Sequence, residues 1–221
     1  MGDMVIGVEC RAAGAEKCYM REIVAAAEDF QVPLTWLIGV SLHDPMGNAA
    51  LYRDEYLHRI PAWHEVGVLL IAENGADCPD SAGHCDLARL GKDVLKQLHV
   101  KPVCCKLTGA DLAATSVKTM EDIGILVAAG NVAGCCDCSG EPYHPALSDV
   151  RKPGDARLVV LPHGGASVLT GEAMTKVRSG APLTFGVLWD DEDPGTRLRE
   201  LLEAATQSGA TVRTLTPACL V

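Results

Sequence analysis

Apolar runs of strand length alternate with segments of helical spacing along the whole chain. Met4 to Val8 is a short apolar run, and Tyr19 to Phe30 (YMREIVAAAEDF) places its apolar residues at helical intervals. Pro33 to Val40 (PLTWLIGV) reads as a buried strand with its proline at the edge, where no ladder bond is lost. Leu51 to Arg59 is a short helix rich in charged and aromatic groups, and Val66 to Ile71 is the next strand. The polar stretch Ala72 to Asp86, broken by Gly and Pro, is predicted as a loop. Leu87 to Leu98 repeats leucine at helical spacing, and Lys101 to Lys106 is again a strand. Asp111 to Ile123 is helical, with Gly124 where a left-handed cap is expected. Gly124 to Ala128, Arg157 to Leu161 and Leu183 to Trp189 are strands. A helix over Thr196 to Gln207 stops at Ser208-Gly209, and Thr211 to Leu215 is the closing strand.

Strands separated by helices require crossovers, and crossovers give a mostly parallel sheet. Seven or eight such units in 221 residues predict an α/β fold: a distorted (β/α) barrel of about seven parallel strands with outer helices. No internal repeat or linker interrupts it, so residues 1–221 are expected to form a single domain wrapped into a closed cylinder.

Composition narrows the partners more than the chemistry. A chain that is 48% hydrophobic and 22% charged is globular. No apolar run is long enough to span a bilayer. The start, MGDMVIGVEC, lacks the basic and apolar pattern of a signal peptide, so a cytoplasmic location is expected. A net charge of −10 argues against nucleic acid or an anionic membrane as partner.

The ten cysteines are unusual for such a chain: Cys10, Cys18, Cys78, Cys85, Cys104, Cys105, Cys135, Cys136, Cys138 and Cys219. Without a secretory signal, buried thiols or metal ligands are better readings than disulfides. Cys78, His84 and Cys85 follow the third strand and form a candidate set for a soft divalent ion such as zinc. Other cysteines lie near strand ends, which converge at one mouth in a parallel barrel. Only Cys135 and Cys138 show the C-x₂-C spacing, and no second pair accompanies them. Cys104 and Cys105, adjacent on a strand, must point to opposite faces. Small buried hydrophobes remain the plainer reading of most of them.

Other candidates carry paired readings. His64 fits a packed core group better than a ligand. His163, between Pro162 and Gly164-Gly165 at a strand end, fits a site. Trp36, Trp63 and Trp189 either line a pocket or fill the core. His43-Asp44 and the acidic run Asp190 to Asp193 suit solvated loops, or an oriented base and a cation-binding rim. No phosphate-binding or dinucleotide glycine fingerprint is present.

FQVPLTWLIG, RIPAWHEVGVLL, KTMEDIGILVAAG, CSGEPYHP and the stretch from PLTFGVLW to the end occur in an order that resembles the polysaccharide-deacetylase (NodB-homology) family, a distorted (β/α) barrel. The family hydrolyses N-acetyl or related amide bonds with a divalent metal held by one Asp and two His, beside a catalytic Asp. The match sets Gly7, Val8 and Glu9 where the acidic pair belongs, so only Glu9 is acidic there. The two metal-binding histidines fall near Leu69 and Glu73. The arginine–proline segment falls at Lys106-Leu107-Thr108. LVVLPHGG admits two alignments: one makes His163 the late catalytic histidine, and the other moves that place to LWDDED, which has none.

The resemblance therefore implies a hydrolase acting on a carbon–nitrogen (amide) bond of a small or sugar-like substrate, with the usual metal ligands missing. Glu9 and His163 are its candidate catalytic residues, and Lys106 and Trp36 its candidate substrate-binding residues. The alternatives are a non-catalytic relative that binds a ligand or partner, and a zinc protein using Cys78, His84 and Cys85.

Overall fold

The computed structural model describes residues 2–10, 19–40, 49–71, 81–108, 111–130, 132, 141–162, 175, 178, 183–188 and 193–220. In chain order the strands are β1 (Asp3–Cys10), β2 (Thr35–Gly39), β3 (Glu65–Ile71), β4 (Cys104–Thr108), β5 (Val127–Gly130), β6 (Pro145–Ala146), β7 (Asp149–Pro153), β8 (Val159–Pro162), β9 (Leu183–Leu188) and β10 (Thr211–Arg213). The helices are α1 (Tyr19–Phe30), α2 (Ala49–Glu55), α3 (Ser81–Gln97), α4 (Ala114–Asp122), α5 (Pro194–Ser208) and α6 (Leu215–Cys219), with a 3₁₀ turn over Leu57–Arg59.

The main sheet is parallel throughout and runs β9-β1-β2-β3-β4-β5-β8. Strand β9 lies along Asp3 to Val8 of β1. The other edge of β1 is therefore shared, with β10 against Asp3–Val5 and β2 against Gly7–Cys10. Seven parallel strands curl into a half-barrel with helices around it, as the strand–helix alternation predicted. No ladder joins β8 to β9 among the described residues, so hydrogen bonds do not close the expected cylinder there.

Side chains alternate between two dry layers. Val5, Leu37, Leu69, Cys104, Val127 and Phe185 belong to the inner cluster. Met4, Ile6, Val8, Trp36, Ile38, Val68 and Cys105 belong to the larger cluster under the helices. Cys104 and Cys105 thus face opposite ways, as adjacent residues of a strand must. Where two backbones come close, glycine fills the place. A Cβ on Gly67 would stand 2.6 Å from Cys104 Sγ and 2.8 Å from the Cys104 carbonyl oxygen. A Cβ on Gly91 of α3 would stand 2.4 Å from Val68 Cγ1, which lets that helix lie directly on β3.

One end of the half-barrel is sealed. The chain leaves β10 at Arg213 and turns inward as α6, burying Leu215 and Cys219 in the inner cluster. Thr35 Oγ1 accepts from Leu215 N at 2.9 Å and donates to Glu65 Oε2 at 3.1 Å, and that carboxylate accepts from Thr216 N at 3.1 Å. Both Thr35 and Glu65 open their strands, so this is the N-terminal floor, and the mouth lies at the other end.

His64 sits beside that floor. Trp36 Nε1 donates to His64 Nδ1 at 2.9 Å, which places the ring proton on Nε2, a buried atom with no partner among the described residues. Trp63 packs edge-on against the ring at 4.1 Å between centroids. Burial lowers the His64 pKa from 6.5 to about 4.

Several elements differ from expectation. α3 begins at Ser81, inside the predicted loop; its first six residues, SAGHCD, hold no large apolar side chain, and the periodic leucines start only at Leu87. Strand β10 stops at Arg213, and Leu215 begins a helix instead of ending a strand. The hairpin β6–β7 was not anticipated, because β7 is half-buried to exposed. Gly124 adopts φ +77°, the left-handed cap expected of it. No described helix is long and apolar enough to cross a membrane.

Replacing Gly67 with Ala is expected to lower the unfolding free energy by about 1–3 kcal/mol in urea titration, the usual range for overpacking a filled interior. The unfolded chain protonates His64 below pH 6.5, whereas the folded chain resists until about pH 4. Stability therefore falls as pH drops through that window, with His64 contributing a slope of about 1.4 kcal/mol per pH unit. Melting curves of His64→Gln should be flatter over the same range; an unchanged slope would place the acid sensitivity elsewhere.

Candidate functional site

The alternation that builds the two layers also decides which polar side chains reach the mouth. On β1 the inward positions are Val5, Gly7 and Glu9; on β4 they are Cys104, Lys106 and Thr108. Glu9 and Lys106 come from near the C-terminal ends of strands with two others between them in the sheet, and they meet across its inner face. Lys106 Nζ forms an ion pair with Glu9 Oε1, and both side chains are only 2% exposed. The same ammonium donates to Thr108 Oγ1 at 3.1 Å. The residues between them add no competing polar group. Leu37 and Leu69 are apolar, and Gly39 and Gly67 carry no side chain into the space.

A buried ion pair is a poor choice for stability alone. Withdrawing two charges from water costs several kcal/mol each, and apolar residues of similar volume commonly do as well or better. The inner layer around this pair is otherwise built from such residues. Two opposite charges, buried near the C-terminal ends of their strands, form a preorganised polar centre in an apolar wall.

The other sequence candidates are distributed differently. Trp36 lies on the helix-facing layer, fully buried, with its indole N–H committed to His64. Its side chain therefore does not share the inner face with Glu9 and Lys106, and it serves there as core. Cys85 is buried between α3 and α4, where its thiol donates to the Thr115 carbonyl at 3.8 Å. His84 falls within α3, but its side chain, like Cys78 and His163, lies outside the described residues. So do His43, Asp44, Glu73, Trp189 and Cys135, Cys136 and Cys138. Cys85, Cys104, Cys105 and Cys219 are free and buried, and Cys10 is buried as well. Burial raises the Cys104 thiol well above its ordinary range, with the nearby Glu65 carboxylate adding to the rise. It raises Cys105 to about 12, and burial and then Glu65 raise Cys219 to about 12. These are protonated packing groups.

The metal implied by the resemblance does not fit the residues that are described. The carboxylate matched to the acidic pair already holds an ammonium, and Leu69, at the place of a histidine, is a fully buried member of the inner cluster. Among the described residues no three His, Cys, Asp or Glu side chains converge on one point. Leu69 faces inward and pairs in register with Lys106.

No protein-family profile matches the chain, and no curated protein sequence matches it. Solved structures do match. The peptidoglycan deacetylase PdaC from Bacillus subtilis has a TM-score of 0.58 at 8% identity, covering 98% of this chain and 89% of its own. A mutant of BA3943, described as a CE4 family pseudoenzyme with restored enzymatic activity, has a TM-score of 0.57 at 12% identity, over 98% and 68% of the two chains. A 4-alpha-glucanotransferase from Thermococcus litoralis has a TM-score of 0.58 at 14% identity, with 98% of this chain covering 40% of that one. Identities this low establish architecture, and the third neighbour shows that the architecture hosts more than one chemistry. Met along nearly the whole chain and in several deacetylases, the likeness assigns this protein the distorted barrel fold of the NodB-homology polysaccharide deacetylases.

Proposed function

We propose that the protein is a deacetylase-like hydrolase that acts on the carbon–nitrogen bond of an amide in a small or sugar-like molecule, at the mouth of the half-barrel. The observation that carries this reading is the desolvated Glu9–Lys106 pair at the end of the barrel where such folds keep their sites. The structural neighbours, peptidoglycan deacetylases among them, supply the reaction class.

The chemistry asked of these residues is modest and complete in itself. Water attacks the amide carbonyl while the Glu9 carboxylate accepts a proton from it. The tetrahedral adduct carries negative charge on the former carbonyl oxygen, and the Lys106 ammonium supplies a fixed positive charge close by. Collapse of the adduct breaks the carbon–nitrogen bond, and the proton held by Glu9 passes to the departing amine. Thr108, bonded to the ammonium, holds Lys106 in its orientation.

A second reading has its own observation. Leu69 at the matched histidine place, and a carboxylate already neutralised by an ammonium, favour a relative that binds a ligand without turning it over.

The two separate in one assay, acetate release from N-acetylated chito-oligosaccharides and from simple N-acetyl amides. Release above the buffer rate is expected, falling by about 100-fold or more in Glu9→Gln, the usual contribution of a general base. No release from the wild-type protein, whether chelated or supplied with Zn²⁺, Co²⁺ or Mn²⁺, together with saturable binding of the same sugars by calorimetry, would assign the mouth to binding alone.

A further inference from the structure

We propose that Lys106 is the resident cation of this barrel: its ammonium holds the Glu9 carboxylate that would otherwise serve as a ligand, so no divalent metal binds there. The argument is one of position and charge. Lys106 rises from β4 and Glu9 from β1, and they meet inside the curl of the sheet with 2% of each side chain exposed. Thr108 takes a second hydrogen bond from the same nitrogen, so the ammonium is anchored on two sides. A divalent ion approaching that carboxylate would have to displace a buried positive charge, and like charges repel strongly in a low-dielectric interior.

Nor do the flanking inward positions offer donors to compensate. Leu37 and Leu69 are buried in the inner cluster, and the remaining inward positions of β2 and β3 nearest the pair are Gly39 and Gly67. A metal of this class needs at least three protein ligands to hold it with an open position. The described wall supplies one carboxylate, already paired.

The inference stands apart from the hydrolase reading, and the experiment keeps them distinct. Protein stripped with a chelator is titrated with Zn²⁺, Co²⁺ and Mn²⁺ by calorimetry, alongside Glu9→Gln and the double variant Glu9→Gln/Lys106→Met. The cysteines outside the described residues are common to all three proteins, so the readout is the difference between them. Indistinguishable isotherms are expected; one equivalent of ion bound by the wild type and lost in whichever Glu9 variant folds overturns the proposal.

Stability supplies an independent arm. Lys106→Met takes the ammonium away from a buried carboxylate and is expected to lower the melting temperature by about 10 °C, the scale of a broken buried pair in a chain of this size. The double variant, a neutral pair, should recover at least half of that loss. A Lys106→Met protein as stable as the wild type, or a double variant no better than the single one, overturns the proposal. If Lys106→Met does not fold, a folded double variant supports the same conclusion and an unfolded one counts against it. Acetate release without Glu9-dependent metal binding sustains both proposals, and no release with no such binding sustains this one alone.

Discussion

The parallel ladder around β1 is the constraint on which everything else rests. One strand carries three neighbours: β9 along one edge, and β2 and β10 stacked along the other. That arrangement forces the sheet to curl, because the chain must return beside its own first strand twice. Once curled, the period-two alternation of side chains creates an interior as well as an outer face, and both are dry. Small residues decide how tightly it can curl. Gly7 lies under Phe185, whose ring would meet an added Cβ at 3.0 Å, and Gly67 lies against Cys104. The interior that results is narrow and filled at the floor, and polar toward the mouth.

Within that interior the Glu9–Lys106 pair runs against the economy of a core. The apolar alternatives are visible beside it, so the pair is best understood as a device for keeping a charged centre in fixed orientation. Its neutrality matters as much as its burial. The Lys106 ammonium sets an opposite charge against the Glu9 carboxylate, and both groups are carried by strands of one parallel sheet.

How much of this was legible in the sequence follows from the range of each interaction. Local periodicity gave the strands, the principal helices and the Gly124 cap. The opposite orientation of Cys104 and Cys105 followed from strand geometry alone. What failed to show was either short or exposed: five residues of α6 are too few to display a period, and β7 has no apolar face to alternate with. The orientation of Trp36 was hidden for a different reason. Both faces of β2 are buried, so the pattern TWLIG cannot reveal which of Trp36 and Leu37 points inward. The pairing of Glu9 with Lys106, 97 residues apart, leaves no trace in any window of sequence. Only the family resemblance put both positions in view, one as an acid and the other as a site cation.

The floor has a bearing on how the molecule is made. Its seal joins Thr35 to the amide of Leu215, 180 positions later, and α6 follows every strand of the sheet in the order of synthesis. The emerging chain must hold its curled strands together with an unplugged apolar base until α6 has been made. Contacts of such long sequence separation form late and slowly. Until α6 docks, the apolar base of the curled sheet therefore stays uncovered at the N-terminal ends of its strands.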